Sequence, residues 1–270
     1  MPDLKLSSLR IGSCRAPEGI SIAGGAKRLI DFPAGVALIR HPRLGTTLFD
    51  TGYGEAFFRA TARLPEAMYR WLTPVTLAPQ DHLHVQLGQT SVDRIFLSHL
   101  HADHVAGLPD LDPSIPAYAS AQAIKGLELA RLPSLKAGCP HILRDYLRGR
   151  ALQSTQNLPT VDLTGHGLGA FGQGRDLLGD GSALVVPLPG HGIGQEGLFL
   201  PRTDLGPCFL VADAAWSLRA LRENRPPPKI TLSRLGDAGA YLQTFARLVA
   251  FRQARPDIRI IAAHCPEAYP

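Results

Sequence analysis

The sequence predicts one globular domain over residues 1–270 that mixes α-helices with β-strands. The chain of 270 residues is 45% hydrophobic and 19% charged, which is enough apolar material for a large core. Short β-rich runs alternate along it with segments of helical spacing. No repeat or low-complexity segment interrupts this alternation, and a single domain is therefore the simplest organisation.

Charge and cysteine content indicate which binding partners and which cellular compartment to expect. The net charge of +5 permits a polyanionic partner, but Lys and Arg are scattered and form no long basic run. No stretch of about 18 apolar residues indicates a membrane span. The four cysteines form no C-x-x-C pair, so neither a disulfide scaffold nor a cysteine zinc site is expected. A reducing cytoplasm fits this composition best.

The first third of the chain predicts strands followed by short helices. "LRIGSC", which ends at Cys14, resembles a lipoprotein cleavage box, but the short polar stretch before it favours a first strand. A hairpin is predicted from Val36–Arg40 and Thr46–Phe49. The segment Glu55–Leu72 predicts two short helices separated at Pro65, followed by a loop and a helix over residues 81–89.

The remaining strands each lead to a polar residue. "DRIFLSH" predicts a buried strand that runs directly into "HLHADH", and "AYAS" a weak strand before a helix over residues 122–131. The stretch from there to residue 150 has no defined pattern. Later strands in "ALVVPLPGHG", "CFLVADAAW" and "DIRIIAAHC" lead to His191, Asp213 and His264. Asp237 is the predicted N-cap of a helix over residues 238–254.

"HLHADH" crowds four metal-competent side chains at the end of a strand. His99 and His101 alternate along an extended segment, so both rings can project to one side, while Asp103 and His104 follow in the turn. One segment could therefore serve two adjacent ions. The remaining histidines lack such neighbours in sequence and are assigned to the surface or to turns: His41, His82, His84, His141 and His166.

The later strand ends complete two ligand sets. His191 joins His99 and His101 around a first ion, and His264 joins Asp103 and His104 around a second. Asp213 would bridge the two ions. Imidazole nitrogen and carboxylate oxygen suit zinc best, and the same set could hold iron, manganese or cobalt.

These motifs, with Asp50 in "LFDTG", resemble the metallo-β-lactamase superfamily in family order over nearly the whole chain. The resemblance implies an α+β fold, a four-layer αββα sandwich with two divalent metals in loops along one edge. It also implies that Asp50 hydrogen-bonds metal-binding groups, the alternative being a turn residue. Asp103 and Asp50 are the two carboxylates that it assigns to catalysis.

The implied chemistry needs no serine or cysteine nucleophile. Two metals about 3.5 to 4 Å apart would share a hydroxide, lower the pKa of its parent water and polarise the oxygen of the group being attacked. Cys265 is adjacent to His264, but neighbouring residues of a strand point to opposite faces, so a structural role is expected for it.

Within the superfamily, the sequence most resembles the N-acyl-homoserine lactonases, which implies a small-molecule lactone or related ester as substrate. Those enzymes carry a tyrosine three residues after the bridging aspartate, whereas Trp216 stands there in this chain. Indole can donate a hydrogen bond but cannot exchange a proton as a phenol can. Trp216 is expected either on the substrate side of the metals or as core packing behind them.

Two other activities of the superfamily stay open as alternatives. One is a thioesterase similar to glyoxalase II. The other is a phosphodiesterase similar to the transfer-RNA 3′-processing nucleases, although no RNA-binding arm is found and residues 131–150 form the only basic stretch near the motif. Nucleic acid is therefore not the expected partner.

Aromatic residues before the motif are candidates for substrate binding. They could form an apolar lid that accepts an acyl chain. Their helical spacing fits core packing or the interface of a homodimer equally well. The residues are Phe57, Phe58, Tyr69 and Trp71.

Overall fold

The computed structural model of the chain describes residues 3–234 and 236–268, which form two facing mixed β-sheets with helices packed outside them. This arrangement confirms the predicted α+β sandwich. The first sheet has the strand order β4-β1-β2-β3-β5-β6-β7. Its strands are β1 (Lys5–Pro17), β2 (Leu29–His41), β3 (Gly45–Phe49), β4 (Val75–Thr76), β5 (Arg94–Phe96), β6 (Ala117–Ala119) and β7 (Leu152–Ser154).

The second sheet has the order β13-β12-β11-β10-β9-β8. Its strands are β8 (Thr160–Asp162), β9 (Gln173–Asp176), β10 (Leu184–Pro187), β11 (Glu196–Leu200), β12 (Cys208–Ala212) and β13 (Arg259–Ala262). Only β12 and β13 pair in parallel in this sheet, whereas β3, β5, β6 and β7 are parallel in the first.

The α-helices of the described residues are mostly short. They are α1 (Glu55–Ala60), α2 (Ala67–Leu72), α3 (Leu83–Leu87), α4 (Ala102–Val105), α5 (Ala121–Gly126), α6 (Arg131–Lys136), α7 (His141–Gly149), α8 (Leu218–Glu223), α9 (Lys229–Leu232) and α10 (Ala238–Ala254). Over these residues, no helix combines the length and the apolar composition needed to cross a membrane.

Strand β2 shows how the layers are held together. Ala37 and Ile39 pack in the core between the sheets, while Val36 and Leu38 pack in a second core under the helices of the first sheet. Successive side chains of a strand point to opposite faces, so a strand that is covered on both faces is apolar throughout. The continuous hydrophobic run "GVALI" is explained by this double burial.

Several predicted elements are confirmed with shifted bounds. The hairpin is formed by β2 and β3, which pair antiparallel, and α1 and α2 lie on either side of Pro65. Helix α10 has the predicted bounds, and the Asp237 side chain accepts a hydrogen bond from the Ala240 backbone N–H at 3.0 Å.

Other regions differ from the prediction. The segment predicted as a loop contains β4, which pairs with β1, and the helix predicted over residues 122–131 ends at Gly126. The undefined stretch holds α6 and α7, with Pro133 in the first turn of α6, where its missing N–H breaks no hydrogen bond. Strand β11 and the short polar strands β8 and β9 were not predicted.

Candidate metal centre

The candidate ligands come from strand ends at one edge of the sandwich. Residues 97–104 follow β5, while Asp213 follows β12 and His264 follows β13. His191 comes from the loop after β10. The predicted strand "DRIFLSH" ends earlier than expected, because β5 ends at Phe96, and His99 and His101 follow it as predicted for a loop at the strand end. They lie on an irregular loop, and Asp103 and His104 lie in the one-turn helix α4.

Three histidines form the first group of donors. Ligand atoms of His99, His101 and His191 lie within 4.8 Å of one another, and all three residues are buried. The closest pair is Nδ1 of His101 and Nε2 of His191, which are 2.9 Å apart. The structure therefore brings together the three residues predicted for the first ion.

The second group combines histidines with carboxylates. Ligand atoms of Asp103, His104 and His264 also lie within 4.8 Å of one another. Nε2 of His264 is 3.3 Å from Oδ2 of Asp103 and 3.0 Å from Oδ2 of Asp213. Of the two carboxylates, Asp103 is the more exposed, with 14% of its side chain accessible against 2% for Asp213.

Asp213 stands between the two groups. Its Oδ2 is 3.0 Å from Nε2 of His191, and its Oδ1 is 3.3 Å from Nε2 of His104. Ala212, which precedes it, has a φ of 47°, a left-handed conformation that side chains rarely adopt. This turn at the end of β12 directs the carboxylate into the cluster.

Asp50 holds the histidine loop by hydrogen bonds. Its Oδ1 accepts from the Ser98 backbone N–H at 2.7 Å, and its Oδ2 accepts from the Ser98 hydroxyl at 2.8 Å. Oδ2 is also 2.8 Å from Nδ1 of His104. Asp50 is fully buried, with a φ of 60° in a turn after β3, so it is both a turn residue and a partner of a candidate ligand.

These bonds determine which ring nitrogens carry a proton. Because Oδ2 of Asp50 can only accept, Nδ1 of His104 donates to it, and Nε2 is the nitrogen turned toward the other candidate ligands. Nδ1 of His264 donates in the same way to the Pro33 carbonyl at 2.7 Å. The Ser98 hydroxyl donates to Asp50, so Nδ1 of His99 donates to that hydroxyl at 3.0 Å. In each ring, Nε2 is therefore the nitrogen that faces the cluster, and in His104 and His264 it lies beside the Asp213 carboxylate.

Several of the candidate ligand atoms are buried without a hydrogen-bond partner. Among the described residues, Nε2 of His99, Nε2 of His104 and Oδ1 of Asp213 have no hydrogen-bond partner. A buried lone pair without a partner costs free energy, and lone pairs that converge from several residues are satisfied together by a cation. The donor set therefore fits divalent metal ions, and nitrogen and carboxylate ligands of this kind suit zinc.

The electrostatics differ between the two groups. Burial lowers the pKa of His99 well below its usual value, and burial together with neighbouring His191 lowers the pKa of His101 to about 3. Burial also opposes protonation of His104, but the carboxylates of Asp50, Asp213 and Asp103 outweigh it and raise the pKa of His104 to about 10. His99 and His101 are thus neutral, whereas the second group is rich in charge.

At two glycines the backbone lies very close to a histidine ring of the first group, and neither contact was predicted. A Cβ atom at Gly138, where φ is +79°, would lie 2.3 Å from Cδ2 of His101, and one at Gly192 would lie 2.6 Å from Cδ2 of His99. Only glycine permits such close approach. Gly138 lies between α6 and α7, in the stretch that lacked a sequence pattern. Ser98 was also missed, although it stands immediately before the motif.

The predicted substrate-binding aromatic residues fall in different environments. Phe57 is fully buried and makes edge contacts with Phe58 and Tyr69, so it takes the core-packing alternative and presents no surface to a substrate. Phe58 and Tyr69 are partly buried against the same core. Trp71 is 64% exposed, and its place on α2 fits a lid or an interface equally well.

Trp216 lies against the ligands and is 8% exposed. Its indole N–H donates to Oδ2 of Asp213 at 3.0 Å, and its ring packs edge-on against His191 with centroids 5.3 Å apart. Trp216 thus contacts the carboxylate of Asp213 directly. Cys265 is buried and its sulfur accepts the Leu218 backbone N–H at 3.4 Å, in line with the structural role expected for it.

An apolar recess adjoins the first group of histidines. It is shallow and partly open to solvent. The loop before α4, helix α5 and the α6–α7 connection line it, through Leu100, His101, Ala123, Leu127, Cys139 and Ile193 among others. The recess therefore offers an apolar surface directly beside a candidate ligand.

The sandwich with histidines and aspartates clustered at its edge is the architecture of a metal-dependent enzyme class, and the family comparison agrees. Residues 31–264 match the family model of the metallo-beta-lactamase superfamily. The chain belongs to this superfamily. The match and the fold support a hydrolase, and the family implies binding of divalent metal at the His and Asp groups.

Solved structures with the same fold cover nearly the whole chain. An N-acyl homoserine lactone hydrolase, with the product N-hexanoyl-L-homoserine at its catalytic metal centre, superposes with a TM-score of 0.74 at 17% identity, covering 98% of this chain and 95% of that one. The dizinc quorum-quenching lactonase AidC gives 0.60 at 18% identity over 98% and 89%. A probable metal-dependent hydrolase from Staphylococcus aureus gives 0.67 at 12% identity over 98% and 90%.

A curated relative matches a shorter segment. Ribonuclease Z of Bacillus licheniformis is 29% identical in an alignment of 120 residues that covers 40% of this chain. The match spans 39% of that relative's own length.

Proposed function

We propose that the protein is a metal-dependent hydrolase that cleaves a lactone or a related carboxylic ester. The observation that carries the proposal is the convergence of seven metal-competent side chains on one small region, where buried ligand atoms of His99, His104 and Asp213 have no hydrogen-bond partner among the described residues. Protein interiors avoid such unpartnered atoms unless a ligand satisfies them. The cluster therefore has the properties of a binding site for cations.

We divide the candidate ligands into two groups, one for each of two adjacent ions. His99, His101 and His191 would hold one ion, and Asp103, His104 and His264 the other, with Asp213 shared between them. Divalent ions bound there, zinc above all and otherwise iron, manganese or cobalt, would activate a water molecule and polarise the carbonyl oxygen of the ester.

Asp103 is the group of this chain that we assign to proton transfer. In hydrolysis, the water oxygen forms a bond to the carbonyl carbon, the C–O bond to the alcohol breaks, and a proton from the water must reach the departing oxygen. Asp103 is the most solvent-accessible of the clustered carboxylates, whereas Asp50 and Asp213 are enclosed. Asp50 acts by positioning His104 and the loop at Ser98.

A lactone or ester is the proposed substrate class for two reasons. The lactonase that shares this fold holds its product at a metal centre, and apolar side chains beside His101 offer contact to the apolar part of an ester. Trp216 replaces the phenol of the lactonases, and its single N–H is already donated to Asp213. The chain therefore has to stabilise the substrate carbonyl without Trp216 as a proton donor.

The alternative of phosphodiester cleavage is supported by the partial match to ribonuclease Z. The basic residues near the motif do not favour it, because several are committed within the protein. Arg131 bonds to Glu66, Arg144 to the Leu129 carbonyl and Arg150 to backbone carbonyls near Asp112. A guanidinium occupied in this way is less available to a phosphate backbone. A cytoplasmic location remains part of the proposal, and the four cysteines are free.

A substrate panel tests the proposal. Protein loaded separately with zinc and manganese is assayed on aliphatic lactones, aryl esters, thioesters and bis-nitrophenyl phosphate. We expect the highest kcat/KM on a lactone or ester, with loss of turnover in chelator and recovery on adding metal. A preference for the phosphodiester or the thioester would replace the proposed substrate class. Full activity in a metal-free protein would overturn the proposal altogether.

A further inference from the structure

A second set of metal-ligating side chains lies on the protein surface. Ligand atoms of His82, His84 and Asp110 are within 4.8 Å of one another, and the two imidazole rings have centroids 5.5 Å apart. His82 immediately precedes α3 and His84 lies within it, while Asp110 comes from a helical turn after α4. None of these residues belongs to the candidate metal centre.

The structure adds a neighbour that the sequence-based assignment of these histidines did not include. His82 and His84 were assigned to the surface or to turns because no other ligand-type residue pairs with them in the sequence. They are partly and largely exposed, as expected, but the fold brings Asp110 to them from a distant part of the chain. Three candidate ligands from two separate segments therefore meet at one point.

A fourth donor stands next to the cluster. Oε1 of Glu55, the first residue of α1, is 3.8 Å from Nε2 of His82. Within the described residues, no hydrogen bond of these four side chains is found, and the contact between His82 and Glu55 is the one ion pair that involves them. Two neutral imidazoles and two carboxylates would supply the four ligands and the two negative charges that suit a tetrahedral divalent ion.

We propose that His82, His84 and Asp110, with Glu55 as the fourth ligand, bind one divalent transition-metal ion of the Zn²⁺ type. The site is open to solvent, so ligand ordering is incomplete before binding and the affinity is lower than at the buried centre. This proposal stands whether or not the buried centre hydrolyses an ester.

The position of the site indicates what the ion would stabilise. Glu55 follows Asp50 by five residues, and Asp110 follows His104 by six. The segments between them are in direct contact, because the Gly107 backbone N–H donates to the Gly52 carbonyl at 3.1 Å. An ion shared by α1, α3 and the turn after α4 would therefore hold together two segments that lead into the candidate metal centre. A ligand that binds only the folded state raises its stability.

The test counts zinc ions on tag-free protein. Protein whose buried centre is already loaded is titrated with Zn²⁺ by calorimetry and its melting temperature is followed. We expect one further equivalent to bind and the melting temperature to rise by a few degrees. His84→Ala and Asp110→Asn should remove this equivalent or weaken it by about tenfold or more. The matched control His166→Ala, another histidine outside the candidate centre, should bind as the native protein does.

Two outcomes would overturn the site. One is the absence of any further equivalent in the native protein, with its melting temperature unchanged by zinc. The other is an equivalent that binds with the same affinity to His84→Ala, Asp110→Asn and the native protein, since the ion then lies elsewhere. Circular dichroism on each variant separates lost binding from lost folding. Glu55→Gln, which keeps the volume of the side chain, should weaken binding without abolishing it.

Discussion

The protein contains two polar clusters around buried carboxylates, and they differ in how many of their hydrogen-bonding atoms have a partner. Glu66, at the start of α2, is 1% exposed, and its oxygens accept from Arg131 at 2.7 and 2.6 Å and from Nδ1 of His141 at 2.7 Å. Each oxygen of that carboxylate has a donor. At the candidate metal centre, Nε2 of His99, Nε2 of His104 and Oδ1 of Asp213 have none within the described residues.

This difference separates a structural cluster from a ligand-binding one. Around Glu66, acceptors and donors are matched, and the cluster ties α2 to α6 and α7. At the metal centre, the acceptors are in excess and converge, so the free energy of burying them is recovered only when a cation binds. Ligand-type residues alone do not make this distinction, since both clusters contain histidine and carboxylate.

The largest effect is expected from removing Asp213, which contacts both groups of the centre. Asp213→Ala should release at least part of the bound metal and lower turnover by roughly three orders of magnitude or more. The more conservative Asp213→Asn should also fail, because its amide nitrogen cannot ligate a cation. Metal content is measured by elemental analysis together with kcat/KM on the preferred ester.

Circular dichroism serves as the folding control for both Asp213 variants. If Asp213→Asn retained full metal content and native turnover, the bridging assignment would be wrong. If both variants instead lost all structure, Asp213 would have to be grouped with Glu66 as a structural residue, and the contrast between the clusters would weaken.

An intermediate effect is expected at Asp50, which touches ligands without reaching the metal positions itself. Asp50→Asn keeps the shape but loses the charge that accepts from Nδ1 of His104. We expect zinc affinity, measured by chelator competition, to fall about 10- to 100-fold.

Asp176 offers a matched control, because this buried carboxylate accepts only backbone N–H groups in a turn. Asp176→Asn should reduce stability and leave zinc affinity unchanged, and equal losses of affinity in both variants would contradict the role of Asp50.

The sequence was most informative where a short local pattern of residue types marks the feature. The spacing in "HLHADH" and the polar residues after three apolar strands predicted every member of the cluster, because strand ends deliver adjacent side chains to one edge of a sheet. The N-cap Asp237 and the apolar strands were predicted for the same reason: each pattern is local.

The sequence was least informative where a role depends on distant contacts. Gly138 gives no pattern of its own, and its function appears only when the backbone is seen against the His101 ring. Asp110 lies far from His82 in sequence, so their proximity could not be read from spacing. Phe57 had the spacing of both a lid and a core residue, and only the fold decided between them.

The Glu66 cluster should affect stability and not metal binding. The hydrogen bonds from Arg131 are the main reason that the pKa of Glu66 lies below its ordinary 4.5, at about 2. Because the folded-state value is depressed, the stabilisation is present above pH 4.5 and is lost as pH falls toward 2. Glu66→Gln should therefore lower the free energy of unfolding by about 1 to 2 kcal/mol at neutral pH, with a smaller difference below pH 4. Urea denaturation of both proteins across this range, with zinc affinity as the control, decides whether the cluster is purely structural.

The smallest effect is expected at Trp216, which belongs partly to each kind of cluster. Its indole packs among ligands as a core residue does, but its N–H donates to Oδ2 of Asp213, an acceptor that also lies 3.0 Å from His264 and from His191. Trp216→Phe keeps most of the apolar contact and removes only this donor. A net hydrogen bond of about 1 kcal/mol corresponds to roughly a fivefold loss of zinc affinity, with the melting temperature nearly unchanged.

Trp216→Ala also opens space beside the centre and should change the kcat/KM ratio between bulky and small esters by roughly tenfold. If Trp216→Ala lost stability while both the zinc affinity and the ester ratio stayed native, Trp216 would be a packing residue, and its hydrogen bond to Asp213 would have no bearing on the metal.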